Sequence, residues 1–219
     1  MTTEYELVVF DGDETLVDGD VIKGLAAAAG ATDELEAIHA RVWEGDLEPM
    51  EALQHRIAPL FEGLTRGDVR DVVNSQPLSP GARALGRRID CDTAVFTSIV
   101  PHAERIAREI DADHYRANEL VSEGGVLTGE IHGDIVAEGK GPVLRDLMDE
   151  LGVDSGRVVA VGDGPQDLPL FDLAEFAIGV DPKPAARPGV DVAVETRDMT
   201  LVEPYLRQAG VPMTDATPD

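Results

Sequence analysis

The 219-residue chain has a single cysteine, Cys91. This scarcity excludes a disulfide framework and a cysteine-based metal site, and a reducing cytoplasm is the compartment expected for such a chain. No apolar stretch approaches the roughly 20 residues that span a bilayer. The first residues are acidic and have no basic flank, so we expect no export signal and a soluble protein.

Basic residues are also scarce. Only 18 lysines and arginines oppose 43 acidic residues, which gives a formal net charge of -25, and the only lysines are Lys23, Lys140 and Lys183. Such a surface repels nucleic acids and anionic membranes, so we expect neither as a partner. The carboxylates are spread along the whole chain, which indicates a solvated surface adapted to concentrated salt. Nothing in the sequence indicates an oligomeric state.

The apolar pattern divides the chain into a core and an insertion. Helices alternate with buried strands over residues 1–16 and 77–211, which is typical of an α/β fold with a Rossmann-like parallel sheet sandwiched by helices. Residues 17–76 show helical spacing without a buried strand, so we predict a small helical cap inserted after the first strand. A glycine-containing turn predicts a β-hairpin at about 119–131. The polar residues 212–219 are expected to form a flexible tail.

An apolar run that ends in two carboxylates is the most informative motif. Residues 7–10 lack alternation, as expected of a strand buried on both faces of a parallel sheet. Asp11 and Asp13 follow at its carboxyl end, where open α/β sheets bind ligands, and Thr15 adds a hydroxyl. Side chains two residues apart on an extended chain point the same way, so the two carboxylates are expected to share one small site.

A second strand repeats this arrangement. Residues 158–161 form another buried run, and Asp163 and Asp167 follow it directly. Three or four carboxylates in one pocket need a compensating charge, because each buried charge costs several kcal/mol. All-oxygen ligation suits Mg²⁺. We therefore predict a Mg²⁺ cofactor bound among Asp11, Asp13, Asp163 and Asp167.

Three further residues are candidates for holding an anion. Lys140 stands between two glycines at the start of a predicted helix, and a lysine retained in a lysine-poor chain indicates a position that needs a point positive charge. Thr97 and Ser98 follow another predicted strand, where their hydroxyls can donate to a phosphate oxygen or cap the next helix. The histidines show no metal-ligand spacing, and we assign none of them a role.

These motifs, in this order, resemble those of the haloacid dehalogenase superfamily, and within it the helical insertion and the Gly-Lys-Gly segment resemble phosphoserine phosphatases. The resemblance implies a phosphatase in which Asp11 becomes an aspartyl phosphate. Asp13 then protonates the leaving alcohol and later activates water. It also implies that Asp11, Asp163 and the backbone carbonyl of Asp13 hold Mg²⁺, while Asp167 supports Lys140 and the metal-bound water.

The resemblance further implies how the substrate is held. Thr97 and Lys140 match the residues that hold the phosphoryl oxygens. Arg56 matches the arginine that pairs with the substrate carboxylate, and Asp20 stands where the family has a glutamate that faces the amino group. The implied substrate is phosphoserine, or a related small phosphorylated metabolite, in L-serine biosynthesis.

The sequence departs from that family around the pocket. Ser98 and Ile99 stand where the family has glycines, and Gln166 replaces an asparagine. Side chains therefore occupy positions where the backbone is expected to approach the substrate closely. We expect Ser98 and Gln166 to line a reshaped substrate site.

Two other interpretations stay open at this point. Asp11 could pass its phosphoryl group to an acceptor alcohol such as homoserine instead of water. Alternatively, the chain could be a non-catalytic phospho-receiver or cation-binding module, which also combines aspartates with a lysine. A receiver needs no acid for a leaving alcohol and no helical lid that excludes water, so Asp13 and the insertion favour an enzyme.

We predict that folding and turnover depend on salt. At about 1 M ionic strength the screening length is only about 3 Å, so repulsion among the surface carboxylates largely vanishes. The melting temperature and the rate of phosphate release should therefore rise as KCl is increased from dilute buffer to molar concentration. Full folding and full activity at low ionic strength would contradict this prediction.

Overall fold

The apolar runs without alternation form the centre of a seven-stranded sheet. The computed structural model describes residues 5–215. The strands are β1 (Leu7–Asp11), β2 (Asp92–Ile99), β3 (His114–Glu123), β4 (Val126–His132), β5 (Val158–Gly162), β6 (Phe176–Val180) and β7 (Val192–Val194). Their order is β4-β3-β2-β1-β5-β6-β7, and only the β3–β4 pair is antiparallel. The predicted α/β fold with a parallel sheet is confirmed.

The pairing of β1 determines where the site lies. Val8 is opposite Thr93 of β2 on one side and opposite Val159 of β5 on the other. Every residue of β1 and β5 is buried. Because parallel strands end at the same edge of a sheet, Asp11 and the residues that follow β2 and β5 face one crevice.

Helices cover both faces of the sheet. They are α1 (Val21–Ala29), α2 (Thr32–Trp43), α3 (Pro49–Ala52), α4 (Arg66–Ser75), α5 (Ala82–Gly86), α6 (Val100–Ile110), α7 (Asp134–Glu138), α8 (Lys140–Leu151), α9 (Leu168–Phe171) and α10 (Glu203–Ala209). On one face, Phe10 of β1 packs in a cluster with Ile106 of α6. On the other face, Val9 packs in a cluster with Leu144 of α8. Within residues 5–215, no helix has the length and apolar composition that crossing a bilayer requires.

The segment 17–76 is helical, as the spacing of its apolar residues predicts. It contains α1 to α4, with a π-helical turn at Leu53–Ile57 and a 3-10 helix at Ala58–Phe61 between α3 and α4. Its apolar core includes Leu127 of the hairpin strand β4. The Leu127 backbone donates to Leu64 O at 2.7 Å and accepts from Gly63 N at 3.0 Å. The hairpin thus extends the main sheet and also supports the insertion, and the exact domain boundaries stay a prediction.

The polar segment 212–219 differs in part from the expected flexible tail. Asp90 N donates to Pro212 O at 2.8 Å, and Thr214 N donates to Arg88 O at 2.7 Å. Met213 also packs against the apolar core. Backbone pairing with the segment before β2 therefore holds residues that composition alone assigns to a loose end. Residues 216–219 lie outside the described part of the chain.

Candidate functional site

The carboxyl ends of β1, β2 and β5 open into a cavity of about 230 Å³ between the sheet and the helical insertion. The core contributes mainly polar and charged side chains to its lining. The insertion contributes several apolar ones, among them Ile22, Val42, Met50, Leu53 and Ile57. A small polar end faced by an apolar lid is typical of a site that binds a small charged molecule and excludes water.

Lys140 joins two buried carboxylates in this cavity. Its Nζ lies 2.5 Å from Asp11 Oδ1 and 2.6 Å from Asp167 Oδ1, and all three side chains are buried. Lys140 begins α8 directly after Gly139, whose φ of 86° favours glycine. Burial lowers the pKa of Lys140, but the charges of Asp11 and Asp167 raise it more, so the net pKa lies above its ordinary value. The side chain therefore stays an ammonium.

The turn after β5 fixes Asp163 and Asp167. Asp167 Oδ2 accepts the backbone N–H of Asp163 at 3.1 Å and that of Gly164 at 3.0 Å. A Cβ at Gly162 would lie 2.6 Å from Asp167 Oδ2, so this approach requires a glycine. Burial and the charge of Asp167 raise the pKa of Asp163 from 3.8 to about 6. The turn concentrates negative charge that the protein neutralises only in part.

Three aspartates form a group that fits a metal ion. Asp11, Asp163 and Asp167 are buried, and each offers a carboxylate oxygen that lies within 4.8 Å of the others. Burial and the charge of Asp167 raise the pKa of Asp11 well above its ordinary value, although Lys140 opposes this rise. Hard oxygen ligands with excess negative charge suit a divalent cation. The Asp13 carboxylate, which the sequence also predicts as a metal ligand, is not part of this group and has other partners.

Asp13 accepts hydrogen bonds from two separate elements, α1 and β2. Its Oδ1 accepts the backbone N–H of Val21 at 2.8 Å. Its Oδ2 accepts the hydroxyls of Thr97 at 3.1 Å and Ser98 at 3.2 Å. Thr97 and Ser98 line the cavity and donate to Asp13 there, and their role in binding an anion stays a prediction. Asp11 and Asp13 thus open into one cavity and have different hydrogen-bond partners.

His102 is a further residue beside the cavity that the sequence does not reveal. This residue lies in the first turn of α6, is fully buried, and places Nε2 at 3.2 Å from Asp13 Oδ1. Burial raises the pKa of Asp13, but the His102 contact and the hydrogen bonds from Val21 and Thr97 lower it more, so the net pKa is below its ordinary value. No local pattern marks a single histidine on a helix as part of a site two elements away.

The expected substrate-binding residues are distributed unevenly. Asp20 and Gln166 line the cavity. Asp20 caps α1 by accepting Lys23 N at 3.0 Å, and Gln166 Nε2 lies 3.4 Å from Asp163 Oδ1. Arg56 is exposed and is not among the residues that line the cavity, although its neighbour Ile57 is. A role for Arg56 in substrate binding stays a prediction.

All three lysines of the chain line this one cavity. Lys183 Nζ lies 2.7 Å from Asp163 Oδ2 and 2.8 Å from Glu14 Oε2. Glu14 has a positive φ of 58°, which is uncommon for a residue with a side chain, and its carboxylate is also 3.2 Å from Arg197. The scarcity of lysine, which singles out Lys140, is a signal that applies equally to Lys23 and Lys183.

The chain is similar to haloacid dehalogenase-like hydrolases and, among them, to phosphoserine phosphatases. The family model of haloacid dehalogenase-like hydrolases matches residues 8–172. The chain is 37% identical to the phosphoserine phosphatase of Halobacterium salinarum over 199 residues, which cover 88% of this chain and 93% of that protein. It is 39% identical to phosphoserine phosphatase SerB2 of Mycobacterium tuberculosis over 91% of this chain, but it spans only 48% of that protein, about half its length.

Solved structures show the same similarity. A substrate-bound phosphoserine phosphatase complex superposes with a TM-score of 0.83 at 27% identity, covering 92% of this chain and 98% of the other. A phospho-aspartyl intermediate analogue of phosphoserine phosphatase superposes with a TM-score of 0.84 at 27% identity, covering 92% and 99%. The architecture is therefore shared along nearly the whole chain.

Without metal, the protein should lose stability as Asp163 ionises. Its folded pKa of about 6 exceeds the ordinary 3.8, so the folded state binds this proton more tightly than the unfolded state. The resulting stabilisation is present below about pH 4 and is lost as the pH rises to about 6. In EDTA, the unfolding free energy of the wild type relative to Asp163→Asn should fall by about 3 kcal/mol between about pH 4 and about pH 7.

Denaturant titrations at each pH measure this difference. The exposed substitution Asp33→Asn is the matched control for removing one carboxylate away from the cavity. If the unfolding free energy of the wild type relative to Asp163→Asn stays constant or rises with pH, Asp163 ionises at least as readily in the folded protein as in the unfolded chain.

Proposed function

The chain belongs to the haloacid dehalogenase-like hydrolases, and on this basis we propose that it hydrolyses phosphomonoesters through a phosphoryl group carried on Asp11. One observation carries the proposal. Asp11 and Asp13 are two residues apart, yet Asp11 contacts Lys140 whereas Asp13 accepts hydrogen bonds from hydroxyl and backbone groups. Two carboxylates in different surroundings can take different roles, one as nucleophile and one as acid and base.

The proposed reaction has two steps. In the first, Asp11 bonds to phosphorus while the bond from phosphorus to the alcohol oxygen breaks, and Asp13, which takes up a proton when the phosphate anion binds beside it, gives that proton to the alcohol oxygen. In the second, the oxygen of a water molecule bonds to phosphorus, the Asp11–phosphorus bond breaks, and Asp13 takes a proton from the water. Phosphate leaves and both carboxylates return to their starting states, so one difficult displacement becomes two easier ones.

We propose Mg²⁺ as the cofactor. The clustered, buried carboxylates of Asp11, Asp163 and Asp167 support this choice, because hard oxygen ligands with excess negative charge suit this ion. We assign Asp11, Asp163 and the backbone carbonyl of Asp13 as its ligands, and Asp167 as the residue that orients Lys140. When bound, Mg²⁺ supplies the positive charge that lets an anionic nucleophile approach an anionic phosphate.

The phosphoryl oxygens need donors, and the cavity offers them. Lys140 presents an ammonium beside the Asp11 carboxylate, which is the group that would attack phosphorus. The hydroxyls of Thr97 and Ser98 donate to Asp13 Oδ2, and since hydroxyl hydrogens rotate, both can turn toward a bound phosphate. Catalysis of phosphoryl transfer is mainly this kind of positioning and charge stabilisation.

We propose phosphoserine, or a related small phosphorylated amino acid, as the substrate. The names of the similar proteins support it. Within the cavity, Asp20 offers a negative charge for the α-ammonium group. Arg56 precedes Ile57, which lines the cavity, so we assign its guanidinium to the α-carboxylate. Lys23, whose Nζ lies 3.2 Å from Asp20 Oδ2, is the competing cation for that carboxylate.

We place this reaction in the cytoplasm at high salt, within L-serine biosynthesis. Burial and nearby acidic groups raise the pKa of the lone thiol, Cys91, to about 12, which suits an inert thiol in a reducing compartment. The net charge of -25 favours small phosphorylated metabolites over nucleic acids as partners.

Substitution of the nucleophile tests the proposed function. With Mg²⁺ and molar KCl, the wild type should release phosphate from phosphoserine, and Asp11→Asn should lower turnover by more than about 10³-fold, because no other group can form the covalent intermediate. Asp33→Asn should leave turnover unchanged. Release of phosphate by Asp11→Asn at the wild-type rate, or no release from any phosphoester by the wild type, would refute the proposal.

Substitution of Arg56 tests the proposed substrate. Arg56→Ala should raise KM for phosphoserine by about 10- to 100-fold, as expected for losing a hydrogen-bonded ion pair. KM for p-nitrophenyl phosphate, which has no carboxylate, should change by less than about 3-fold. Lys23→Ala is the matched comparison and should not show this selectivity. If Lys23→Ala shows this selectivity and Arg56→Ala does not, the substrate carboxylate binds Lys23. If Arg56→Ala raises KM equally for both substrates, the assignment of an amino-acid substrate is wrong.

A further inference from the structure

We propose that His102 is a positioning residue that fixes the Asp13 carboxylate so that Asp13 Oδ2 faces the leaving oxygen of the substrate. This inference rests on the proposed function, in which Asp13 is the acid. His102 lies on α6, behind the cavity, and is not among the residues that line it. It acts on the reaction only through Asp13.

The two oxygens of Asp13 have different kinds of partner. Oδ2 accepts from Thr97 and Ser98, and both of these side chains line the cavity, where a bound phosphate competes for their hydroxyls. Oδ1 contacts Val21 N at 2.8 Å and His102 Nε2 at 3.2 Å. Neither of these groups lines the cavity. When substrate takes the hydroxyls, the Oδ1 contacts stay and hold the carboxylate in place.

Among the described residues, Asp13 is the one polar partner recorded for the His102 ring. It is fully buried, and neither ring nitrogen has a hydrogen bond of good geometry to any residue in the described part of the chain. Its neighbours Ala103 and Ile106 on α6 are buried and apolar. A buried polar ring is costly without a partner, so an apolar residue would serve packing better here. The contact with Asp13 therefore explains the imidazole at this position better than packing does.

In the first step, the position of Asp13 matters only when the leaving group needs a proton. For phosphoserine, the electron pair of the broken bond to phosphorus stays on the serine oxygen, which takes the Asp13 proton as Asp11 bonds to phosphorus. For p-nitrophenyl phosphate, the leaving phenolate is stable without that proton. Loss of the His102 contact should therefore slow the first substrate much more than the second.

Two variants separate positioning from packing. In His102→Gln, the side-chain amide nitrogen reaches about as far as Nε2 and keeps a donor near Asp13. In His102→Asn, the amide nitrogen corresponds to Nδ1 and falls short of Asp13. Both variants are polar and similar in shape, so they disturb the core to a similar degree. The measured quantity is kcat/KM, which reports only the steps up to release of the first product.

We expect His102→Asn to lower kcat/KM for phosphoserine by about 10- to 100-fold, the range for losing one interaction with a charged group. We expect kcat/KM for p-nitrophenyl phosphate to fall by less than about 3-fold, and His102→Gln to recover most of the loss. The ratio of the two kcat/KM values does not depend on how much of a variant is folded. Partial unfolding therefore cannot mimic the result.

An unchanged ratio in His102→Asn, or a ratio that changes equally in His102→Asn and His102→Gln, would overturn the inference. The proposed function would survive either result as long as Asp11→Asn abolishes turnover. If Asp11→Asn is active, the proposed function itself is wrong.

Discussion

The structure depends on compensating buried negative charge at the carboxyl edge of the sheet. Asp11, Asp163 and Asp167 are each buried there, and one protein cation, the Lys140 ammonium, contacts two of them. Removing charges from water costs several kcal/mol per ion unless partners replace the lost hydration. The protein meets this requirement in part, with Lys140 on Asp11 and Asp167 and with Lys183 on Asp163. The remaining excess of negative charge is what makes the site receptive to a divalent cation.

This constraint explains several local features. Lys140 begins α8 directly after Gly139, and from there its side chain reaches Asp11. Gly162 has to lack a side chain so that Asp167 can approach the turn after β5. Glu14 keeps a positive φ while Lys183 and Arg197 hold its carboxylate. In a chain with a net charge of -25, all three lysines line this cavity, and the buried one, Lys140, contacts two buried carboxylates.

Sequence reasoning recovers the features that are encoded locally. The unbroken apolar runs at residues 7–10 and 158–161 predict the central strands, and the aspartates that follow them meet in space as the parallel sheet requires. The helical spacing of residues 17–76 predicts the insertion. These inferences succeed because strand burial and helix periodicity are properties of neighbouring residues.

The features that the sequence does not reveal depend on long-range contacts. Asp11 and Asp13 line one cavity, but the groups that contact Asp13 come from α1, β2 and α6, whereas Lys140 of α8 contacts Asp11. His102 Nε2 lies 3.2 Å from Asp13 Oδ1, and the sequence of its helix gives no hint of this contact. The pairing of Met213 with Ile89 likewise joins residues far apart in the chain, and the polar composition around Met213 gives no sign of it. In each case the conformation depends on contacts between residues that are distant in the sequence.

The most direct test of the central claim is to locate a bound cation. A crystal grown with Mn²⁺ in place of Mg²⁺ gives an anomalous signal at the ion. The account predicts one peak that contacts the carboxylates of both Asp11 and Asp163, with the Lys140 ammonium still beside Asp11 and Asp167. A peak that contacts neither carboxylate, or an acidic cluster that stays empty at saturating Mn²⁺, would contradict it.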